Sequence, residues 1–477
     1  MTNQGTTTLW TAQEVGLATN AEARADWNAT GVSIDSRTAA PGDLFIALEG
    51  PNFDGHAFVG SALKQGACAA LVHRIPAGFE DDRRLLLVRD TLEGLQALGE
   101  AARSRSRAQI LAVTGSVGKT STKEMLKLVL EAQGETHATA GSFNNHWGVP
   151  LSLARLPRTA RFAVFELGMN HPGEIAPLSR MVRPHVAIIT TVEAVHLEFF
   201  ASTADIAAAK CEIFEGLQPG GTAILNRDNP HYATMRNAAL RRGGRVRTFG
   251  SHIDSQARLL DVAVDPSATS VFAMIDDHPL AYKVGIAGKQ WAMNSLAVLL
   301  AVAEMGANTA AAARTLADMT PPKGRGQRHH VTLAAGSIEI IDESYNASPV
   351  SVRAAIAALS AARPAKTGRR IAVLGDMLEL GPASPGLHAG LAESLTQHGI
   401  DLVFTAGALM ANLDAALPET MRGGHAADSE ALAPIVRQAV RAGDVVMVKG
   451  SAGSRMGRIV TALVEASETP KRAANGH

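Results

Sequence analysis

The chain has 477 residues, 46% of them hydrophobic and 19% charged, which suits a multidomain globular protein with sizeable cores. Its 45 Lys and Arg balance its 45 Asp and Glu, which argues against an overall polybasic surface for nucleic acid or anionic lipid. With aromatics at only 4%, a base-stacking platform is not expected either.

The start of the chain is polar and Thr-rich, without the apolar core of a signal peptide. The two cysteines, Cys68 and Cys211, are too far apart for a CxxC site and suit a reducing cytoplasm. Through about residue 107, turn signals such as Pro41-Gly42-Asp43 and Asp54-Gly55-His56 separate short apolar runs at 44–48 and 69–72. The stretch Arg103-Ser104-Arg105-Ser106-Arg107 reads as a helix end or a linker with solvated charges.

From Ile110 onward, apolar strands at 110–113, 162–165, 186–190 and 223–225 alternate with helical stretches, the pattern of a parallel βαβ sheet. The apolar helix near 296–305 contains Glu304 and is too short to cross a bilayer, so it is expected in a core, with no membrane insertion. Pro321-Pro322-Lys323-Gly324-Arg325-Gly326 reads as a hinge. Beyond it, strands at 338–341, 371–374, 402–404 and 445–448 imply a second α/β unit. The tail after Thr469 is polar and expected to fray. The expected fold class is α/β in three domains: a central P-loop-type, mostly parallel sheet, a smaller N-terminal α/β domain and a C-terminal Rossmann-like α/β domain. The expected boundaries are 1–107, 108–325 and 326–477.

Chemistry concentrates at Thr114-Gly115-Ser116-Val117-Gly118-Lys119-Thr120-Ser121. Strand, glycine-bearing turn, then Lys-Thr opening a helix is a phosphate cradle: backbone N–H groups face the phosphates, Lys119 reaches the β/γ oxygens and the Thr120 hydroxyl suits Mg²⁺. Val113 stands where the usual P-loop has its first glycine, so this is a tighter TGxxGKT turn. Helix is expected from Lys123 to Ala132.

Ligands of such sheets sit beyond the C-terminal strand ends. Glu166 ends one strand and is placed for Mg²⁺. His196 follows another in a loop; from its placement it reads equally as a ligand or a structural histidine. Lys210, from spacing alone, is a lysine on a solvated helix face. Asn144 and Asn145 lie in a polar loop, where Asn serves ligand amides or simply turns the chain. In Asp342-Glu343-Ser344-Tyr345-Asn346-Ala347-Ser348-Pro349, Asp342 and Asn346 would face an interdomain cleft, with Ser348 capping a helix and Pro349 in its first turn.

In order and spacing these segments resemble the Mur ligase family over nearly the whole chain. The P-loop, Glu166-Leu167-Gly168-Met169-Asn170 followed by Gly173-Glu174-Ile175, Ala209-Lys210-Cys211-Glu212-Ile213-Phe214 and the 342–349 segment each match a family motif. Ile34-Asp35-Ser36-Arg37, with the turns at 41–45 and 54–56, resembles its UDP-binding first domain. Ser348 stands where the family has Asn, Gln290 where it has His, and Met456-Gly457 where it has Met-Glu.

The resemblance implies the branch that uses ATP and Mg²⁺ to join D-alanyl-D-alanine to UDP-MurNAc-tripeptide through an acyl phosphate. It implies Lys119, Glu166, His196 and a carbamylated Lys210 as catalytic groups, and Thr120, Glu166, His196 and Lys210 around metal. Asn294, Arg325 and Asp342 would join the P-loop in holding ATP. Ser36 and Arg37 would lie near the UDP moiety, and Asn144, Asn145 and Asn346 would contact substrate. A cytoplasmic monomer is expected, with small-molecule partners and no nucleic acid. The alternatives are a MurE-type amino-acid ligase, folylpolyglutamate synthase or, in another class, a regulatory ATPase that forms no amide bond.

Overall fold

The computed structural model describes residues 7–195, 198–265 and 267–465. His196 and the polar tail after Thr469 lie outside the described residues. The expected α/β class is present, with three main strand-and-helix units in succession along the chain.

The central sheet has nine strands in the order Thr136–Ala138, Phe162–Glu166, Gln109–Thr114, Val186–Ile189, Thr222–Asn226, Arg245–Gly250, Ala257–Val264, Thr269–Ile275, His278–Val284. Every pairing is parallel until the last two, which are antiparallel. Side chains alternate along a strand, so Leu111 and Val113 enter one core while Ile110 and Ala112 enter the other. The helices Lys119–Glu131 and Lys289–Glu304 cover the first face. Ile175–Val182 and Thr203–Cys211 help cover the second. Burial on both faces is why the inner strands Gln109–Thr114, Phe162–Glu166 and Val186–Ile189 are almost wholly apolar. The run near 296–305 is a core helix, as expected.

Strand order reverses at Gln109–Thr114, because the next two central strands lie to one side of it and the later ones to the other. The P-loop therefore opens at the topological switch point, where a crevice forms without further construction.

Before this sheet, Gly31–Ser33, Asp43–Ile46, Ala69–Val72 and Leu85–Leu87 form a four-stranded parallel sheet. After it comes a six-stranded sheet in the order Gln327–Leu333, Gly336–Glu343, Val445–Lys449, Arg370–Gly375, Leu402–Ala406, Arg422–Ala426. Its first pair is antiparallel and the rest are parallel.

The basic stretch at 103–107 is a helix end, as one of its sequence readings has it, but its charges are not all solvated. The helix Thr91–Arg105 carries Arg103 into the interior, where Nε donates to Val182 O at 2.6 Å and Nη2 to Arg183 O at 2.8 Å. A guanidinium can satisfy both exposed carbonyls at a helix end, so the charge joins the first unit to the second. Arg105 lies over the Trp10 ring at 3.6 Å. Among the described residues no helix is long and apolar enough to cross a membrane. Cys68 and Cys211 are free, and burial pushes their thiols up to about 11 and about 12.

Candidate active site

The P-loop turn depends on two glycines in the left-handed region, Gly115 at φ 150° and Gly118 at φ 90°. A Cβ on Gly115 would lie 1.9 Å from Thr190 Oγ1, and one on Gly118 would lie 2.9 Å from Asn294 Nδ2. Neither position accepts a side chain, so the backbone N–H groups stay open to a ligand. Ser116 shapes the turn: its hydroxyl donates to Glu193 O at 3.1 Å and accepts from Glu193 N–H at 2.9 Å. Thr190 Oγ1 donates to Val117 O at 2.6 Å. The Thr114 hydroxyl is buried with no partner among the described residues.

Gly118 is the residue before the helix, which begins at Lys119, so Lys-Thr opens it as expected, one turn ahead of the apolar run at 123–132. Lys119 Nζ donates to Gly115 O at 2.7 Å, folded back onto its own loop. Burial lowers its pKa; Glu166 opposes that shift and Arg325 adds to it.

Thr120 Oγ1 donates to Glu166 Oε2 at 2.9 Å, and Asn144 Nδ2 donates to Glu166 Oε1 at 2.8 Å. Glu166 is 1% exposed, so each carboxylate oxygen is held by a named donor rather than by solvent. Arg325 Nη2 donates to Thr120 Oγ1 at 3.1 Å, and its guanidinium lies over the Tyr345 ring at 4.2 Å. The hinge passage and the 342–349 loop thus reach the P-loop. Gly326 N–H donates to Asp342 O at 2.8 Å, and Tyr345 N–H to Gly324 O at 3.1 Å. Asp342 is buried, with Oδ1 accepting from Ser344 N–H at 3.0 Å.

Lys210 is buried at 1% exposure, not solvated as its spacing suggests. The helix Thr203–Cys211 is so rich in alanine that it has no strongly polar face to signal which side is wet. Burial first, and the nearby Lys119 second, hold the Lys210 pKa well below the ordinary lysine value. Among the described residues no carboxylate or carbonyl pairs with its ammonium. Glu212, two residues on, accepts from the N–H groups of Gly173, Ile175 and Ala176 at 2.6, 3.1 and 3.1 Å. It seats the helix Ile175–Val182, a role sequence reasoning left unassigned although the residue lies in a recognised motif.

Other expected residues are placed differently. Asn294 sits against Gly118. Asn145 Oδ1 accepts from Trp147 N–H at 3.2 Å and Gly148 N–H at 3.0 Å, where the helix Gly148–Ala154 begins. Asn346 is exposed, and its carbonyl accepts from buried Lys449 Nζ at 2.9 Å. Ser348 caps the helix Pro349–Ser360 as expected, in a capping box with Ser351. Ser36 is buried in the loop after Gly31–Ser33, while exposed Arg37 pairs with Asp35 at 2.7 Å; both follow a strand of the first sheet.

Among the described residues no three His, Cys, Asp or Glu side chains cluster as metal ligands. A hard ion such as Mg²⁺ does not need them, since it takes one or two protein oxygens and completes its shell with phosphates and water. Thr120 Oγ1 and buried Glu166, beside a phosphate cradle, form a donor set of that kind.

Family comparisons match this layout. The Mur ligase middle domain model matches residues 113–302, the "Mur ligase, glutamate ligase domain" model residues 324–452, and the "Mur ligase family, catalytic domain" model residues 28–106. The chain belongs to the Mur ligase family. Among its Mur ligase relatives, the UDP-N-acetylmuramoyl-tripeptide–D-alanyl-D-alanine ligase of Rickettsia prowazekii is 31% identical, covering 95% of this chain and 99% of the relative. The Bacillus subtilis enzyme of the same description is 35% identical, covering 91% and 93%. Among solved structures, MurF from Acinetobacter baumannii is similar at a TM-score of 0.82 and 29% identity, covering 96% and 99%. MurF from Thermotoga maritima in complex with ADP has a TM-score of 0.75 at 27% identity, covering 92% and 98%.

Proposed function

We propose that the chain is an ATP-dependent ligase that joins D-alanyl-D-alanine to UDP-MurNAc-tripeptide, completing the pentapeptide precursor of peptidoglycan. One observation carries this reading. Lys119, Thr120, Glu166 and Arg325 converge at a phosphate cradle in a chain matched almost end to end by ligases of that description.

The reaction begins with the terminal carboxylate of the tripeptide attacking the γ-phosphorus of ATP, forming an acyl phosphate and releasing ADP. The dipeptide amine then attacks the acyl carbon, a C–N bond forms, and inorganic phosphate leaves with the C–O electron pair. The first step brings an anion to an anion. Lys119 and the P-loop N–H groups offset that repulsion, and Arg325 adds positive charge from the other side of Thr120. Thr120 and Glu166 would hold one Mg²⁺; His196 and Lys210 would serve a second. The ion, when bound, neutralises phosphate charge.

Lys210 is suited to carbamylation. Burial disfavours the charged ammonium, and the neutral amine it favours is the form whose nitrogen adds to CO₂, losing one proton and becoming an anion. That charge change turns a group that repels cations into one that attracts them.

In this reading residues 1–107 hold the UDP moiety through Ser36 and Arg37, 108–325 hold ATP, and 326–477 receive the dipeptide and close the site. Asn294 and Asp342 complete the ATP pocket, while Asn144, Asn145 and Asn346 line the path of the peptide. The reading includes a monomer in the cytoplasm; nucleotide substrates support that location.

The test is phosphate release with Mg-ATP and UDP-MurNAc-tripeptide, with and without D-alanyl-D-alanine, with the product followed by mass. Dipeptide-dependent release with pentapeptide formation is the expected result. Release that ignores the dipeptide but responds to a single amino acid would move the assignment to a MurE-type ligase.

A further inference from the structure

Lys123 is fully buried one turn beyond Thr120 on the P-loop helix, and no step described above uses it. Its Nζ donates to Thr139 O at 2.9 Å and Gly141 O at 2.8 Å, and pairs with Glu124 at 2.8 Å. An ammonium has three donors, and here each has an acceptor. Residues three apart on a helix share a face, so the helix that presents Thr120 also presents Lys123.

The two carbonyls belong to the turn that leaves the strand Thr136–Ala138 and leads to Asn144. That turn is tied to Glu166 at several points. Thr139 Oγ1 accepts from Glu166 N–H at 3.2 Å, and Asn144 O accepts from Gly168 N–H at 2.8 Å. Asn144 Nδ2 donates to Glu166 Oε1 at 2.8 Å. A Cβ on Gly168 would lie 2.7 Å from the Asn144 side chain, so the loop packs without slack against the strand end.

We propose that Lys123 is a positioning residue for the metal carboxylate. By pinning Thr139 and Gly141 to the P-loop helix, it fixes Asn144, and through Asn144 the orientation of Glu166 toward Thr120. The proposal rests on the reading of Thr120 and Glu166 as the Mg²⁺ ligands. Only a buried donor of this length reaches both carbonyls; a methionine of similar size leaves both unpaired, and the turn is released.

The experiment is calorimetric titration of ADP into the full chain, with and without Mg²⁺, for wild type, Lys123→Met, Asn144→Ala, the double variant and Glu166→Gln. Manganese titration by electron paramagnetic resonance in the presence of ADP gives a second readout. In Lys123→Met the gain in ADP affinity produced by Mg²⁺ should fall about 10- to 100-fold, the usual effect of removing an outer partner of a metal ligand. Affinity for ADP without the ion should change little. Adding Asn144→Ala should cost little more, because the two residues act through one path.

Equal weakening of ADP with and without Mg²⁺, or additive losses in the double variant, would make Lys123 merely structural and overturn the proposal. If Glu166→Gln abolishes the Mg²⁺ gain while Lys123→Met keeps it, the proposal alone fails. If Glu166→Gln keeps the gain, the metal-site reading fails first. Should Lys123→Met not fold, Lys123→Gln, which retains a donor for one carbonyl, carries the same comparison.

Discussion

Arg325 and Thr120 are 205 positions apart, yet Arg325 Nη2 donates to Thr120 Oγ1 at 3.1 Å. The same hydroxyl donates its proton to Glu166. A side chain from the segment just before the C-terminal sheet is thereby coupled to the hydroxyl of the second residue of the P-loop helix. Placement of that segment and orientation of the Thr120 hydroxyl are one geometric condition.

Arg325→Ala should lower kcat/KM for ATP by about 100-fold, the scale seen when one donor to a developing anion is lost. Arg325→Lys should restore little, because a point charge cannot both donate to Thr120 and stack on Tyr345. Steady-state kinetics at saturating tripeptide and dipeptide measure this. A loss below about threefold, worth under about 1 kcal/mol of barrier, would detach Arg325 from the chemistry.

Lys119→Ala should reduce turnover by at least about 1000-fold, since the phosphoryl group loses a cation it needs in transit. Folding should survive, because the Lys119 hydrogen bond is to Gly115 of its own loop. Product formation and far-ultraviolet circular dichroism separate the two effects; near-normal turnover would reject the phosphate assignment.

Lys210→Ala should be inactive and partly rescued by formate or acetate, which can occupy the volume vacated and return a carboxylate. Wild-type activity should also drop when bicarbonate is stripped and recover when it is restored. Full activity in Lys210→Ala without added acid would remove this residue from the mechanism.

His137 offers a pH-dependent test away from the chemistry. Burial, with help from Arg155 and Lys127, lowers its pKa from 6.5 to about 4, only partly offset by the bond to Ser152 O. In the unfolded chain it takes up a proton near its ordinary value while the native ring stays neutral. Below pH 6.5 the unfolded state therefore binds more protons, and stability falls as pH drops toward 4. This residue accounts for up to about 3 kcal/mol of that loss. His137→Gln keeps a donor for Ser152 O and removes the titration, so its urea-unfolding profile should be flatter across that window. Parallel profiles for the two proteins would contradict the assignment.

Much of this was legible in the sequence because burial on both faces leaves a strong mark. The strand Gln109–Thr114 and the turn after it announce themselves by an apolar run followed by Gly and Lys-Thr. The strand Ala257–Val264, third from the end of the sheet, leaves no such mark, since half of it is exposed and its polar and apolar residues do not alternate cleanly. Lys210, Lys123 and Arg103 share another difficulty. A charged residue on a helix normally indicates solvent, and only tertiary packing reveals that each of these is buried. Glu212 could have been noticed from its place in the Lys210 motif, but the N–H groups it satisfies lie 36 to 39 positions away.

The ends of the nine-stranded sheet have a consequence for the chain before it is fully folded. Large parallel sheets assemble slowly, and an unfinished sheet offers free backbone groups to other molecules. Here one border strand, Thr136–Ala138, is three residues long. The opposite border, His278–Val284, carries exposed Pro279 and Lys283, a missing donor and a charge. Neither border is a good template for another strand, so crowding by copies of itself during synthesis should favour completion of the fold over intermolecular pairing.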